Sequence, residues 1–274
     1  MTPPSEGRTA AFPEGFTVHA LGAIGSTNDE ARRLAEAGAP DRTVVWAREQ
    51  TAGRGRQGRS WASPPGNLYC SVLLRPGCAL RQAAQLAMVA GAALADALGR
   101  LGPPPDAAVT LKWPNDVLIG GAKAAGILLE AGGRPDGTCA WLVVGAGVNV
   151  ASGPAAAAAA DASPPYPATC LVRAGFERPT VEGLLAAYLA ALDAWLGRWR
   201  AEGFAPVRAA WLARAHGLGG AVTLRLGGDD DDGAELRGRF AGLTGDGALQ
   251  LSQEDGRVRR ITAGDVFFRE PTAS

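Results

Sequence analysis

The residues most suited to chemistry lie in an alternation of glycine and arginine at positions 53–61, which we call the glycine–arginine segment. It runs Gly53-Arg-Gly-Arg-Gln-Gly-Arg-Ser-Trp61. Arginine binds phosphate through paired hydrogen bonds, and glycine lets the backbone approach a ligand closely. The segment therefore predicts an anion-binding loop. We expect its like charges to repel, so that the loop is loose until an anion neutralises it.

Two other functions are possible interpretations of this segment. Gly53, Gly55 and Gly58 match the dinucleotide-binding pattern, which needs a following helix and an acidic residue about 20 positions on. Here a predicted strand follows, and no Asp or Glu lies between Glu49 and Asp96, so we reject it. RNA-binding arginine–glycine elements are mostly longer and lie in disordered tails. RNA binding stays an alternative to the phosphate loop.

Both lysines of the chain belong to short polar motifs, although 25 arginines are present. Pro114 fixes a turn in Lys112-Trp-Pro-Asn-Asp116 that brings Lys112, Asn115 and Asp116 together, unless the motif is an ordinary β-turn. Lys123 opens an apolar strand in which Gly126 leaves room for a flat group. A lysine supplies a compact point charge and an arginine a planar fork. Two surviving lysines suggest a need for point charges, with chance as the alternative.

A third motif, Val144-Gly-Ala-Gly-Val-Asn-Val150, is apolar except for Asn149. A buried asparagine needs hydrogen-bond partners. The motif therefore predicts either a polar group in a site or a local bulge of the strand at Gly145 and Gly147.

Together these motifs resemble those of the biotin protein ligases. The resemblance covers roughly residues 20 to 150, with every motif in family order. Lipoate ligases share the catalytic fold but lack the glycine–arginine sequence, so a lipoate-type acyl-adenylating ligase is the alternative enzyme. The motifs are Ser26-Thr-Asn28, Gln50 with the glycine–arginine segment, Lys112-Trp-Pro-Asn-Asp116, Lys123-x-x-Gly-Ile-Leu-x-Glu130 and Gly145-x-Gly-x-Asn149.

The resemblance implies a two-step reaction. The carboxylate of biotin attacks the α-phosphorus of ATP, which gives biotinyl-5′-AMP and pyrophosphate. A specific lysine of a biotin carboxyl carrier domain then takes the acyl group and releases AMP. Mg²⁺ is expected on the ATP phosphates, with no metal held by the protein itself.

The resemblance also implies roles for individual residues. Catalytic roles fall to Lys123, Arg56 and Asp116, with Lys123 at the reacting carboxylate and α-phosphate. Arg54 and Arg56 face the carboxylate and phosphates, and Trp61 packs the loop or stacks on adenine. Ser26, Thr27 and Gln50 bind the ureido ring, and Asn115, Asp116 and Asn149 line the adenylate side. The binding set is Ser26, Thr27, Asn28, Gln50, Gly53, Arg54, Gly55, Arg56, Trp61, Lys112, Asn115, Lys123, Gly126 and Asn149.

The elements that position these residues follow from periodicity. A capping box formed by Thr27 and Glu30 predicts a helix ending at Gly38, and apolar faces predict two long helices. Gly120-Gly121 predicts a hairpin. The predicted elements are helices over Leu80–Leu101 and Val181–Arg200, strands over 43–47, 68–74, 109–113, 117–119, 124–130 and 139–144, and short strands over 222–226, 235–243, 248–251 and 258–261.

This order predicts an α+β protein. A disordered tail (1–15) precedes a catalytic domain (16–218) with a mixed β-sheet and flanking helices, which the resemblance makes class II synthetase-like. A small C-terminal β-barrel (219–274) follows, Src-homology-3-like by the same resemblance. The Ala-rich stretch 155–160 predicts a surface insertion, and 151–167 has no assigned role. The acidic run 229–232 predicts a solvated hairpin tip.

Composition limits the partners and the compartment. The 274 residues carry 27 basic and 27 acidic side chains, so no global field attracts nucleic acid or a membrane. The four cysteines form no CxxC pair and predict reduced thiols in the cytoplasm. Only 25 residues precede Ser26, too few for the DNA-binding domain of some relatives, so we expect no DNA partner. A homodimer through an edge strand is left open.

Overall fold

A seven-stranded mixed sheet forms the centre of the protein in the computed structural model, which describes residues 12–153, 167–225 and 235–268. The strand order is β1-β2-β3-β7-β6-β5-β4. β1 and β2 run parallel, and every other neighbouring pair is antiparallel. The strands are β1 (Thr17–Ile24), β2 (Thr43–Gln50), β3 (Leu68–Leu74), β4 (Val109–Lys112), β5 (Asp116–Ile119), β6 (Ala122–Gly133) and β7 (Cys139–Val148).

Helices cover both faces of this sheet. α1 (Thr27–Glu36) packs on β2, β3 and β7, and α3 (Gln85–Arg100) packs on the opposite face. α3 is almost entirely buried because α4 (Val181–Glu202) covers its outer side. Each fully buried leucine there stabilises the fold by about 1.5–3 kcal/mol. The remaining helices are α2 (Leu80–Ala83) and α5 (Ala205–Leu212).

The last five strands form an antiparallel sheet, which we call the C-terminal module. Its order is β11-β10-β9-β8-β12, so the final strand returns to pair with the first. Trp211 of α5 packs edge-on against Phe240, with the ring centroids 6.5 Å apart, so this module shares its core with the catalytic domain. The strands are β8 (Ala221–Arg225), β9 (Glu235–Leu243), β10 (Leu249–Ser252), β11 (Val258–Ile261) and β12 (Asp265–Phe268).

Most predicted elements are present, and the α+β class is confirmed. Sequence periodicity missed β1, α5 and β12. It also joined α2 and α3 into one helix, whereas the structure divides them at Ala84. Of the two interpretations of the motif at 144–150, a bulge at Gly145 and Gly147 is excluded, because both glycines keep continuous pairing with both neighbouring strands.

The predicted capping box is also wrong. The N-cap of α1 is Ser26, and Thr27 is the first helical residue. Thr27 Oγ1 donates to Gln50 Oε1 at 3.0 Å instead of capping, and Glu30 pairs with Arg33 at 2.6 Å. The helix therefore begins one residue earlier than the motif predicts, and the Thr27 hydroxyl points to Gln50. The helix ends at Glu36, two residues before Gly38.

Three sequence predictions fall on segments outside the described ranges. They concern most of the N-terminal tail, the Ala-rich stretch 155–160 and the acidic run 229–232. Among the helices of the described ranges, none has the length and apolar character needed to cross a bilayer.

Candidate active site

One cavity of about 550 Å³ opens on the α1 side of the main sheet, and its volume lies within the range of ligand pockets. We call it the main cavity. All predicted site residues except Gly53 line it. A Cβ at Gly53 would lie 2.5 Å from Ser63 Oγ, so this glycine permits close packing behind the wall. The predicted residues in the wall are Ser26, Thr27, Asn28, Gln50, Arg54, Gly55, Arg56, Trp61, Lys112, Asn115, Asp116, Lys123, Gly126 and Asn149.

A polar pocket closes one end of the main cavity at the start of α1. Gln50 Oε1 accepts from Thr27 N at 2.8 Å and from Thr27 Oγ1 at 3.0 Å. Gln50 Nε2 donates to Ser63 Oγ at 3.0 Å. These bonds fix the Gln50 amide and the Thr27 hydroxyl, which offers a planar ligand a rigid set of donors and acceptors.

Behind this pocket lies a buried network that sequence analysis did not predict. Ser71 Oγ lies 2.6 Å from Asn28 Oδ1, and Asn28 Nδ2 donates to Glu130 Oε2 at 3.0 Å. A Cβ at Gly145 would lie 2.1 Å from Asn28 Oδ1. The first glycine of Gly145-x-Gly147 therefore makes room for Asn28. Ser71 sits in a strand with no motif around it, so only the pairing of β3 could have revealed it.

The glycine–arginine segment folds back on itself as a short hairpin. Gly55 N donates to Arg59 O at 2.6 Å, and Trp61 N donates to Gly53 O at 2.9 Å. A single 3₁₀ turn, Arg56–Gly58, forms the tip. Two consecutive residues at this tip, Gln57 and Gly58, have positive φ, which the glycine accepts without strain.

From the sequence we expected the like charges of the segment to repel one another. In the structure each arginine instead has its own hydrogen-bond acceptor. Arg54 donates to both oxygens of Asp29 at 2.6 and 2.7 Å, and its Nη2 lies 3.5 Å from Glu130. These hydrogen bonds lower the pKa of Asp29 and raise that of Arg54. Arg54 therefore attaches the segment to α1.

The other two arginines reach the C-terminal module. Arg59 Nη2 lies 3.0 Å from Asp265 Oδ1. Arg56 donates to Gly264 O and to Asn115 Oδ1, both at 3.3 Å. The segment thus lies between α1 on one side and β12 on the other.

Trp61 forms a wall of the main cavity. A Cβ at Gly126 would lie 3.3 Å from its ring, and one at Gly147 would lie 2.7 Å from Nε1. Both glycines therefore accommodate the indole, so in this structure a flat side chain lies in the room that Gly126 leaves. Lys123 Nζ lies 5.4 Å from the ring centroid, within cation–π range.

The two lysines of the chain converge on one carboxylate. Lys123 Nζ lies 2.7 Å from Asp116 Oδ1, and Lys112 Nζ lies 3.8 Å from Asp116 Oδ2. Lys112 is 8% exposed, and burial lowers its pKa. Two ammonium groups facing one carboxylate leave a net positive charge, which favours an anionic ligand.

Two of the predicted asparagines, Asn115 and Asn149, are held by backbone carbonyls. Asn115 Nδ2 donates to Ile127 O at 2.7 Å, and Asn149 Nδ2 donates to Thr169 O at 3.0 Å. Asn67, which was not predicted, accepts from the backbone of residues 150–152 and fixes the chain after β7. In the described part of the chain, no three His, Cys, Asp or Glu side chains cluster to hold a metal.

A second cavity of about 420 Å³ adjoins the first, between α3 and the C-terminal module. Arg56, Trp113 and Asn115 belong to the walls of both cavities. Arg56 therefore stands at the boundary between them.

A polar pocket, a cationic cluster and an arginine-bearing hairpin on a mixed sheet are suited to binding a small acid beside a phosphate, and comparison with known proteins assigns the class, a biotin/lipoate-type ligase. The model of the Biotin/lipoate A/B protein ligase family matches residues 12–213. A model of the biotin protein ligase C-terminal domain matches residues 217–269. The domain boundaries at 15 and 218 stay predictions.

Two curated relatives are named as ligases. The chain is 44% identical over 247 residues to a biotin–[acetyl-CoA-carboxylase] ligase of Paracoccus denitrificans, covering 89% of this chain and 97% of that protein. It is 33% identical over 260 residues to the bifunctional ligase/repressor BirA of Escherichia coli, covering 93% and 75%.

Solved structures agree. A biotin protein ligase from Aquifex aeolicus in complex with biotin and ATP has a TM-score of 0.74 and 28% identity, and the match covers 93% of this chain and 99% of that one. A Leishmania major ligase in complex with biotinyl-5-AMP has a TM-score of 0.60 and 25% identity, covering 90% and 98%. The chain belongs to the biotin/lipoate A/B protein ligase family, and the resemblance to biotin protein ligases is confirmed.

Proposed function

We propose that this chain activates biotin with ATP as biotinyl-5′-AMP and transfers the biotinyl group to a lysine of a biotin carboxyl carrier domain. The observation that carries the proposal is the convergence of three motifs on one cavity. The polar pocket, the lysine–aspartate cluster and the glycine–arginine segment all line it, and related structures hold biotin with ATP.

The polar pocket binds the ureido ring of biotin. That ring carries two N–H donors and one carbonyl acceptor, which the Gln50 amide and the hydroxyls of Ser26 and Thr27 can match. Ser26 and Thr27 are each 4% exposed, and hydrogen bonds in such dry surroundings discriminate strongly because an unmatched buried partner is costly.

Lys123 meets the reacting carboxylate and the α-phosphate. Its ammonium leaves Asp116 for the stronger anion, and the second lysine, Lys112, then remains beside Asp116. The cluster thus supplies positive charge where negative charge develops, with little rearrangement of the protein. Arg56 adds a guanidinium on the phosphate side.

For Arg54 we propose a role other than the one that the resemblance implies. Its guanidinium forms a bidentate pair with Asp29 and approaches Glu130. We assign it to holding the segment on α1, with Arg56 and Lys123 as the cations that face the ligand.

Mg²⁺ fits this cavity as an ion carried by the nucleotide. The carboxylates in the described wall, Asp116 and Asp265, are both paired with basic side chains. Mg²⁺ binds substrate phosphates with few protein ligands in many such sites. When bound, it neutralises phosphate charge.

Label transfer tests the proposal. Incubation with ATP, labelled biotin and an unmodified carrier domain is expected to label the carrier, whereas a carrier with its acceptor lysine changed to arginine stays unlabelled. Replacing biotin by lipoate distinguishes the alternative enzyme. No label from biotin, or a faster reaction with lipoate, overturns the assignment, and binding of RNA without any transfer favours the binding-module alternative.

Limited trypsin digestion tests the response of the glycine–arginine segment. We expect cleavage after Arg54, Arg56 and Arg59 to slow at least about tenfold with biotin plus ATP, because the anion adds contacts to partly exposed arginines. Cleavage after Arg257, whose side chain is 83% exposed, serves as the internal control. Equal cleavage of the segment in both states contradicts ligand ordering.

The carrier domain is the one protein partner that we propose. Absence of a DNA partner and the cytoplasmic location stay predictions, and homodimerisation through an edge strand is left open.

A further inference from the structure

An acidic side chain stands in the wall of a cavity built for anions. Asp265 begins β12 and lines the main cavity together with Arg56 and Arg59. By Coulomb's law alone, a carboxylate there opposes the binding of a triphosphate. We therefore ask which contacts of Asp265 offset this repulsion.

The contacts of Asp265 lead into the glycine–arginine segment. Asp265 Oδ1 lies 3.0 Å from Arg59 Nη2 and 3.9 Å from Arg56 Nη1. The preceding carbonyl, Gly264 O, accepts from Arg56 Nη2 at 3.3 Å. The start of β12 thus contacts both Arg56 and Arg59 of the segment.

Asp265 is itself held in place by the C-terminal module. It lies opposite Arg225 of β8 in the register of the antiparallel pair β8–β12, so backbone pairing fixes its position. The next residue, Val266, is fully buried. Phe267 packs under Lys112 and Arg225, whose charged atoms lie 5.9 and 5.2 Å from its ring centroid.

The bonds of Arg56 leave it adjustable. Its two hydrogen bonds of 3.3 Å are longer than the usual range for N–H···O bonds. Burial of the guanidinium lowers the pKa of Arg56, and the nearby carboxylates of Asp265 and Asp116 oppose that shift. An anion can take over these donors with little loss, provided the segment stays in position.

We infer that Asp265 is a positioning residue for ATP: it tethers Arg59 and places Arg56 at the phosphate side of the cavity. The inference rests on the proposed function and adds a role for the C-terminal module in the first half-reaction. A single half-exposed ion pair stabilises little, so the expected effect is moderate. It falls on ATP and leaves the ureido pocket untouched.

The two possible roles of Asp265, as a nearby negative charge and as a positioning residue, predict opposite changes in the KM for ATP, which makes the inference testable. If Asp265 acts only as a nearby negative charge, Asp265→Asn removes repulsion and lowers the KM for ATP. If it positions the arginines, the same change raises that KM. We expect a rise of about fivefold, with kcat within about twofold and the Kd for biotin unchanged.

The experiment measures ATP–pyrophosphate exchange against ATP concentration, with biotin affinity by calorimetry, in the full chain. Asp255→Asn is the matched control, because Asp255 pairs with Arg257 in an exposed turn of the same module outside the cavity. Asp265→Glu is expected to recover most of the ATP affinity. In an Arg59→Ala background, Asp265→Asn should add less than twofold.

The outcomes distinguish failure of the proposed function from failure of the positioning role of Asp265. An inactive wild-type chain overturns the proposed function itself. An active wild type with an unchanged or lower KM for ATP in Asp265→Asn overturns the positioning role alone, as does an equal rise in Asp255→Asn. A rise confined to Asp265→Asn, reversed by Asp265→Glu, supports it.

Discussion

Replacing Lys123 by alanine is expected to lower the rate of biotin-dependent ATP–pyrophosphate exchange by about 10²- to 10³-fold, the range for loss of one transition-state charge contact. Lys123 is the cation closest to Asp116, at 2.7 Å, and it borders the Trp61 wall. Its ammonium can follow the changing oxygen geometry as the carboxylate joins the α-phosphorus. The measurement is exchange of labelled pyrophosphate into ATP.

Lys123→Arg is expected to remain severely impaired, because a planar fork cannot replace a point charge beside Asp116 and the indole. The Tm from thermal unfolding is the control for folding, because Lys123 itself meets the carboxylate of biotin and its loss also affects biotin affinity. Near-normal exchange by both variants would contradict the assigned role.

Gly145→Ala is expected to weaken biotin binding by about 10- to 100-fold, which corresponds to leaving one or more buried polar groups unpaired. The new Cβ would lie 2.1 Å from Asn28 Oδ1 and 2.9 Å from Asn28 Cγ. Asn28 is 5% exposed and bonded to Ser71 and Glu130, so it cannot move without breaking that network. Calorimetry with biotin gives the affinity, and thermal unfolding reports the accompanying loss of Tm.

The control for this variant is Gly22→Ala in β1, where a Cβ meets nothing within 4 Å. It adds the same methyl group in a strand, and biotin binding should stay within about twofold. Gly145→Ala combined with Asn28→Ala removes the clash and should recover Tm while biotin binding stays weak. If Gly145→Ala binds biotin as well as Gly22→Ala does, Asn28 has no role in forming the pocket.

The predicted site residues could be identified because each motif combines a characteristic local backbone shape with polar side chains suited to the chemistry. The segment from Lys112 to Asp116 illustrates this, since Pro114 fixes a turn there. Fourteen predicted residues line one cavity, to which the fold brings the separate motifs. The elements that were missed are short or weakly patterned, such as β12 with four residues and β1, whose residues are all at least partly exposed.

The partners of these side chains could not be predicted in the same way. Asn28 and Glu130 are 102 positions apart, and Arg59 and Asp265 are 206 apart. Thr27 shows the consequence, because its local pattern favours a cap, whereas the helix begins one residue earlier and the Thr27 hydroxyl donates to Gln50, which β2 brings close. Contacts with residues distant in the chain thus decide how a local motif is used.

The sequence by itself determined which residues carry the chemistry, where the chain turns and the alternation of apolar faces, because these depend on neighbours within a few positions. Only the tertiary structure decided that Arg54 binds Asp29, that Gly145 makes room for Asn28, and that Asp265 faces the glycine–arginine segment. Those choices depend on strand order and on the packing of the C-terminal module, through which residues remote in the chain compete for the same hydrogen bonds.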